Sequence, residues 1–126
     1  MIFGIGTDIV RVARMRADIE RFGDRFAERI LTEQEMREYH ATERRAHFLA
    51  KRFAAKEAAA KAMGTGFSHG IQLRHIAVAH DANGKPLLEF SGAAQRFLAE
   101  HNIRVIHVSL ADEEDHAVAF VTLEGP

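Results

Sequence analysis

The sequence has no cysteine and no tryptophan, and its formal net charge is only −1. Without cysteine there is no disulfide framework and no thiolate chemistry, which fits a reducing compartment. Without a basic excess, binding to nucleic acid or to an anionic membrane surface is not expected. No apolar run is long enough to span a bilayer, and the first residues lack the basic leader of a signal peptide. The eight histidines are scattered, so a zinc site built from them is not expected either.

What remains is one globular domain over residues 1–126, because no repeat, low-complexity tract or linker divides the chain. Hydrophobic patterns predict strands over residues 2–10 (a buried strand), 72–80, 86–90, 103–110 and 116–123, the second and third joined at Asn83-Gly84. Helical spacing predicts helices over residues 12–30 with a break at Gly23, from the Thr32–Glu35 capping box onward, over 44–63, and over 92–101 behind Ser91. Hairpins and helices are grouped rather than alternating, so we predict an α+β fold: a mainly antiparallel sheet packed with a long central helix.

The long predicted helix contains the stretch KRFAAKEAAAKAMGTG, residues 51–66. Leu49, Phe53 and Ala60 form its expected buried stripe, with Glu57 at the border and Lys61 one turn further along. An ordinary surface pair of Glu57 and Lys61 would contribute only ~0.2–0.5 kcal/mol. Two features favour a functional site instead. Alanines at positions 54, 55, 58, 59 and 60 are expected to leave space around the carboxylate, and the Gly-Thr-Gly exit exceeds the needs of a helix cap and could bring backbone N–H groups to phosphate oxygens.

The first predicted strand carries an unusual charge. In GIGTDIV, Asp8 shares a face with two glycines, opposite the face of Phe3, Ile5 and Ile9. A carboxylate in an apolar strand is costly unless it is paired or binds a cation, although an aspartate that only ends the strand is an equally good explanation. Asp8 and Glu57 together would suit Mg²⁺, which takes one or two protein carboxylates, waters and substrate phosphates. With a lysine and a glycine loop, the pattern favours phosphoryl or pyrophosphate chemistry.

Five blocks of the sequence resemble, in the same order, the holo-acyl-carrier-protein synthases, the small trimeric class of 4′-phosphopantetheinyl transferases. The blocks are GIGTDIV (4–10), FAERILTEQE (26–35), FLAKRFAAKEAAAKAMGTG (48–66), NGKPLLEFSGAA (83–94) and HVSLADE (107–113). The FAAKEAxxKAxGTG pattern is the most specific of them. Arg11 departs from the family, which most often has an acidic residue there.

The resemblance implies transfer of phosphopantetheine from coenzyme A to a serine of apo acyl carrier protein, with release of adenosine 3′,5′-bisphosphate, in the cytoplasm and for fatty acid biosynthesis. It implies Mg²⁺ on Asp8 and Glu57 and charge stabilisation by Lys61. The general base stays open between Glu57 and a metal-bound water. The implied coenzyme A residues, in a cleft between subunits of a homotrimer, are Arg52, Lys61, Gly64, Thr65, Gly66, Lys85, Pro86, His107 and Ser109. Without the family, His107 would be expected to be a packed core histidine.

The first helix carries arginines beside its apolar stripe. Arg14, Arg21 and Arg25 are expected to dock the acidic acyl carrier protein, although such a stripe is often only a solvated face. Two other functions remain open on the residues alone. One is an Mg²⁺-dependent hydrolase of nucleotides or coenzyme A that needs no protein acceptor. The other is a non-enzymatic module that binds an acidic protein and needs neither Glu57 nor Lys61.

Overall fold

The computed structural model describes all 126 residues and has the predicted α+β architecture. The strands are β1 (Ile2–Arg11), β2 (Ile76–His80), β3 (Pro86–Phe90), β4 (Val105–Asp112) and β5 (His116–Glu124). The helices are α1 (Val12–Phe22), α2 (Asp24–Ile30), α3 (Glu33–Ala41), α4 (Arg45–Met63) and α5 (Gly92–Glu100). Leu73–His75, predicted as part of a strand, form a 3₁₀ turn instead. None of the helices combines the length and hydrophobicity needed to cross a bilayer.

Both sheets are antiparallel, as predicted. Three strands form one sheet in the order β1-β5-β4, and β2 pairs with β3 in a separate hairpin. The hairpin loop is held by Asp81, whose carboxylate accepts the backbone N–H groups of Asn83 and Lys85 at 2.8 and 2.9 Å. Strand β3 packs beside β4, and α4 packs across β1 and β5. The long helix is therefore the central element, as expected.

Helix α4 lies directly on β1 because two glycines of the strand have no side chain. A Cβ atom at Gly4 would lie 2.0 Å from the carbonyl oxygen of Ala62, and one at Gly6 would lie 2.0 Å from that of Ala58. The expectation that the alanines leave open space around Glu57 is therefore wrong. They are fully buried because small residues are what allow the helix and the sheet to approach; this holds for Ala54, Ala55, Ala58, Ala59 and Ala60.

Strand β1 is covered on one face only, so the prediction of a buried strand is wrong for the other. Helix α4 covers the glycine face, and Ile5 and Ile9 on the opposite face are 60% and 64% exposed. Phe3 stands at an irregularity of the strand, and its ring packs against Phe97 and His101 at α5. Exposed apolar side chains from β4 and β5 continue this surface. We call it the outer face of the sheet; it consists of Ile2, Ile5, Ile9, Val105, Val118 and Phe120.

Local signals set several helix ends. Thr32 and Glu35 form the predicted capping box: the Thr32 hydroxyl accepts the Glu35 N–H at 3.2 Å, and the Glu35 carboxylate accepts the Thr32 N–H at 2.9 Å. Gly23, at φ +64°, separates α1 from α2 as predicted. Ser91 precedes α5, but its side chain makes no capping hydrogen bond, contrary to expectation.

The face of α4 away from the sheet holds a buried charge network that the sequence did not suggest. Lys56 is fully buried, and its Nζ donates to the Glu35 carboxylate and the Ile30 carbonyl, both at 2.6 Å. The other Glu35 oxygen accepts the Val78 N–H at 2.9 Å. Burial lowers the pKa of Lys56, and the Glu35 carboxylate opposes that shift. The ion pair thus connects α3 to α4, and the hydrogen bonds of its two side chains connect α2 and β2 to the same point.

Candidate active site

The contact between strand and helix brings the predicted carboxylates together. Gly6 lies against Ala58, and Asp8 is the next residue of β1 on the same face. Because Gly4 lies against Ala62 and Gly6 against Ala58, later residues on this face of β1 lie nearer the N-terminus of α4. Asp8 therefore lies near the turn that carries Glu57. The electrostatics agree, since the charge of Asp8 contributes to a raised pKa of Glu57.

Lys61 completes this cluster from the next turn of α4. Its Nζ donates to the Asp8 carboxylate and to the Thr7 carbonyl, both at 3.0 Å. The Lys61 side chain is 53% exposed, whereas that of Asp8 is only 17% exposed. The structure thus joins the three residues predicted to be catalytic, with the amine at the solvent side.

The charges of the cluster are balanced by a fourth residue, Arg14 on α1. Its guanidinium lies 5.4 Å from the centroid of the Phe53 ring. Phe53 precedes Glu57 on α4 by one helical turn. Burial raises the pKa of Glu57 most, Asp8 raises it further, and Lys61 and Arg14 act against both. Two carboxylates and two cations give the cluster no formal net charge. Arg14, expected to serve only in docking, therefore lies at the candidate site itself.

The donor set fits Mg²⁺ rather than a metal held by protein alone. No group of three or more histidine, cysteine, aspartate or glutamate side chains is arranged to hold a metal ion. Mg²⁺ commonly uses one or two carboxylates and leaves its other positions to water and substrate phosphates. Asp8 and Glu57 offer this partial set. Adding a divalent cation to the neutral cluster would give it a positive charge suited to a pyrophosphate.

The Gly-Thr-Gly loop caps α4 more than the sequence suggested. Gly64 adopts the predicted left-handed conformation, with φ +79°, and donates its N–H to the Lys61 carbonyl at 3.0 Å. Gly66 donates to the Ala60 carbonyl at 3.2 Å. Two of the three amides expected to approach phosphate are therefore used by the helix. The N–H of Thr65 has no protein acceptor and is the one left for a ligand.

The other predicted coenzyme A residues do not meet this cluster within one chain. His107 and Ser109 lie on the outer face, because their neighbour Leu110 is in register with Ala119 and hence with the helix-facing side. His107 is an exposed residue 3.0 Å from the Glu124 carboxylate, not a packed core histidine.

Lys85, Pro86 and Arg52 are also placed away from the carboxylate pair. The first two lie at the loop of the β2–β3 hairpin. The Arg52 side chain is 5% exposed and points to the opposite side of α4 from Glu57, where it donates to Glu38 at 3.3 Å. Glu57 follows Arg52 by five positions, which on a helix puts them on different faces.

A surface groove of 480 Å³ is lined by Arg21, Arg25 and Arg29 together with Asp18, Phe22 and Phe26; Arg14, also predicted to dock the carrier, is not part of it. Arg21 and Arg25 both face it, and Arg29, not predicted, joins them. Phe22 in this groove is 50% exposed. The groove therefore combines positive charge with an exposed aromatic ring.

Comparison with known proteins identifies the family. The model of the 4′-phosphopantetheinyl transferase superfamily matches residues 4–121. The chain belongs to this superfamily. A curated relative, the holo-[acyl-carrier-protein] synthase of Hamiltonella defensa, is 50% identical over 124 residues, which are 98% of each chain. The resemblance in the sequence blocks is thus confirmed, and the chain is an enzyme of the transferase class.

Solved structures of superfamily members show the same fold. The crystal structure of holo-[acyl-carrier-protein] synthase from Neisseria meningitidis matches with a TM-score of 0.93 and 46% identity, covering 98% of this chain and 99% of that one. The enzyme from Bacillus anthracis in complex with CoA (3′,5′-ADP) matches with a TM-score of 0.82 and 38% identity, covering 100% and 99%. The predicted α+β fold of the superfamily is therefore confirmed.

Lys56 is the structurally important residue that sequence reasoning missed, although a signal was present. It lies seven residues after Leu49 and four before Ala60, on the stripe that was expected to be buried. A lysine at such a position needs a buried acceptor, because an unpaired buried charge is costly. Glu35 was noted only as part of a capping box, and it is that acceptor.

Proposed function

We propose that this chain transfers the 4′-phosphopantetheine group from coenzyme A to a serine hydroxyl of apo acyl carrier protein, with Mg²⁺, and releases adenosine 3′,5′-bisphosphate. The observation that carries the proposal is the joining of Asp8, Glu57, Lys61 and Arg14 in one balanced cluster at the contact of β1 and α4. Relatives with this fold are named for this activity, and one was solved with coenzyme A. The cytoplasmic location remains a prediction from the resemblance.

In this reaction the serine oxygen forms a bond to the β-phosphorus as the bond from that phosphorus to the bridging oxygen breaks. Asp8 and Glu57 would hold Mg²⁺, which when bound offsets negative charge on the pyrophosphate. The half-exposed amine of Lys61 can reach phosphate oxygens and stabilise charge that develops on them. The free N–H of Thr65 is a further donor for them.

The proton of the serine hydroxyl must go to a base. The two bases that the sequence left open, Glu57 and a metal-bound water, both lie at this cluster. Burial and the neighbouring Asp8 raise the pKa of Glu57 in the metal-free chain. Arg14, stacked on Phe53 and acting on the charge of Glu57, would serve as a further cation for the phosphate oxygens.

We propose that the acyl carrier protein docks on the groove of Arg21, Arg25 and Arg29. Acidic carrier helices complement its charge, and the half-exposed Phe22 provides an apolar contact. The groove and the cluster are joined by α1, which carries Arg14 at one end and Arg21 at the other. A carrier on the groove would therefore lie alongside the catalytic residues.

We also propose that the chain acts as a homotrimer. The outer face leaves six large apolar side chains exposed on one sheet, which is unusual for a monomer. His107 and Ser109 lie on this same side, away from Asp8. Association through the outer face would cover the apolar surface and allow His107 of one copy to serve the cluster of another.

Intact mass spectrometry of apo acyl carrier protein tests the proposed reaction. With coenzyme A, Mg²⁺ and this chain, the carrier should gain the mass of one phosphopantetheine group. An equal loss of coenzyme A without carrier would instead support the hydrolase. Binding of the carrier without any mass gain would support the non-enzymatic module. The Asp8→Asn variant is the control and should give no product while keeping the wild-type circular dichroism spectrum.

A further inference from the structure

The ion pair between Lys61 and Asp8 bears on how a metal reaches the site. Lys61 is the only side chain that pairs with or donates to the Asp8 carboxylate. Asp8 is mostly buried, so it needs a countercharge, and Lys61 supplies one from solvent. Glu57, in contrast, makes no ion pair and no side-chain hydrogen bond. One carboxylate of the pair is free and the other is held by an amine.

We propose that Lys61 is a placeholder cation: it holds the Asp8 carboxylate until a divalent cation binds there, and is then released toward the substrate phosphates. This inference rests on the metal site of the proposed function. Lys61 holds Oδ1 of Asp8, and a metal ion bound to this carboxylate would share its negative charge with the amine. Metal binding therefore weakens the hold on Lys61, and the two events are coupled.

The geometry makes this exchange easy. The Lys61 side chain is half exposed and flexible, so its amine can leave without unpacking the core. Its second acceptor, the Thr7 carbonyl, is a neutral group that water can satisfy in its place. The released amine stays within one turn of Glu57 because both lie on the same side of α4. The arrival of the metal thus delivers a positive charge to the phosphate side of the cluster.

Titration calorimetry with Mg²⁺ alone tests the competition on the full chain without coenzyme A. Lys61→Met removes the competing amine and should bind Mg²⁺ about two- to fivefold more tightly than wild type, since half-exposed ion pairs are weak. Arg14→Met is the matched control because it removes a charge of the same sign from the same cluster but leaves the Asp8 contact. It should tighten binding less than Lys61→Met. Equal or weaker Mg²⁺ binding by Lys61→Met would overturn the proposal, and so would equal tightening by Arg14→Met.

A second measurement uses the wild-type chain and does not depend on the folding of a variant. Saturating Mg²⁺ should shift the side-chain NMR signals of Lys61 in the wild type. In Asp8→Asn, which lacks the ion pair, these signals should already be displaced before Mg²⁺ is added. Unmoved Lys61 signals at saturation would overturn the placeholder. If Asp8→Asn binds Mg²⁺ as tightly as wild type, the proposed metal site is itself wrong. If only Lys61→Met fails to differ, the metal site stands and the placeholder alone falls.

Discussion

Substituting Gly6 with alanine should separate the two halves of the candidate site. The new Cβ atom would lie 2.0 Å from the Ala58 carbonyl oxygen and 2.7 Å from the Ala62 nitrogen. Both are backbone atoms of α4, so neither can rotate away. Since an ordinary contact begins at 3.4 Å, the helix must move from β1 by about 1.4 Å.

Two consequences of that displacement can be measured. Overpacking of this kind costs ~1–3 kcal/mol in the free energy of unfolding. A displacement of about 1 Å between catalytic groups can also cost ~10²-fold in rate, and Gly6→Ala moves Glu57 relative to Asp8 by more than that. Urea unfolding gives the stability, and the mass gain of apo acyl carrier protein over time gives kcat.

Gly23→Ala is the matched control. A Cβ atom there meets nothing within 4 Å, but the backbone has φ +64°, so alanine costs ~1–3 kcal/mol in strain. It is thus destabilised to a similar degree without moving α4, and its kcat at saturating carrier should stay near wild type. A Gly6→Ala variant that unfolds within about 0.5 kcal/mol of wild type and keeps normal turnover would show that α4 is not displaced.

Four further outcomes are expected. Reversing Arg21 and Arg25 to glutamate should raise KM for acyl carrier protein but not for coenzyme A, at about 1 kcal/mol or less per contact, and should flatten the salt dependence; unchanged kinetics would place docking elsewhere. Phe120→Lys, on the outer face, should convert a trimer to monomers in light scattering and lower transfer; a fully active wild-type monomer at high dilution would contradict the assembly. Glu57→Gln should abolish transfer yet unfold less readily at neutral pH without metal. Because the folded pKa of Glu57 lies above its ordinary value of 4.5, the wild type loses stability as the pH rises from 4.5 to the folded pKa and carries the full cost above it, so the advantage of the variant should vanish in acid; equal stability at neutral pH would argue against the shift. Lys56→Met should cost ~3–5 kcal/mol because the buried Glu35 loses its closest cation and keeps only the longer contact of 3.6 Å with Arg52 Nε; a loss below about 1 kcal/mol in thermal unfolding would show that the buried pair matters little.

Local interactions explain which features could be predicted from the sequence. The Thr32–Glu35 capping box, the break at Gly23 and the left-handed end of α4 at Gly64 depend on residues only a few positions apart. The specific FAAKEAxxKAxGTG block indicated membership of the superfamily. The proximity of Asp8 to Glu57 and Lys61 was predicted from that resemblance. Asp8 is far from the other two in sequence, so spacing alone could not predict that they meet.

Only the tertiary structure decided which surfaces are covered. Periodicity shows that Gly6 and Asp8 share a face of β1, and that Ile5 and Ile9 share the other, but not which face meets a partner. Helix α4 covers the glycine face because only there can two backbones come within contact, and the isoleucines stay exposed. For the same reason, periodicity alone did not predict the buried ion pair of Lys56 and Glu35.

Whether a side chain is buried depends on elements distant in the chain. Lys56 lies 21 positions from Glu35 and 26 from Ile30, and its charge is acceptable only because both reach it. His107 looked like a core residue but faces outward because β4 has no layer packed on that side. The sequence determined the elements and the chemistry they carry. The packing of α4 on a glycine strand determined which of those side chains meet, because the depth of that contact depends on atoms that no local pattern describes.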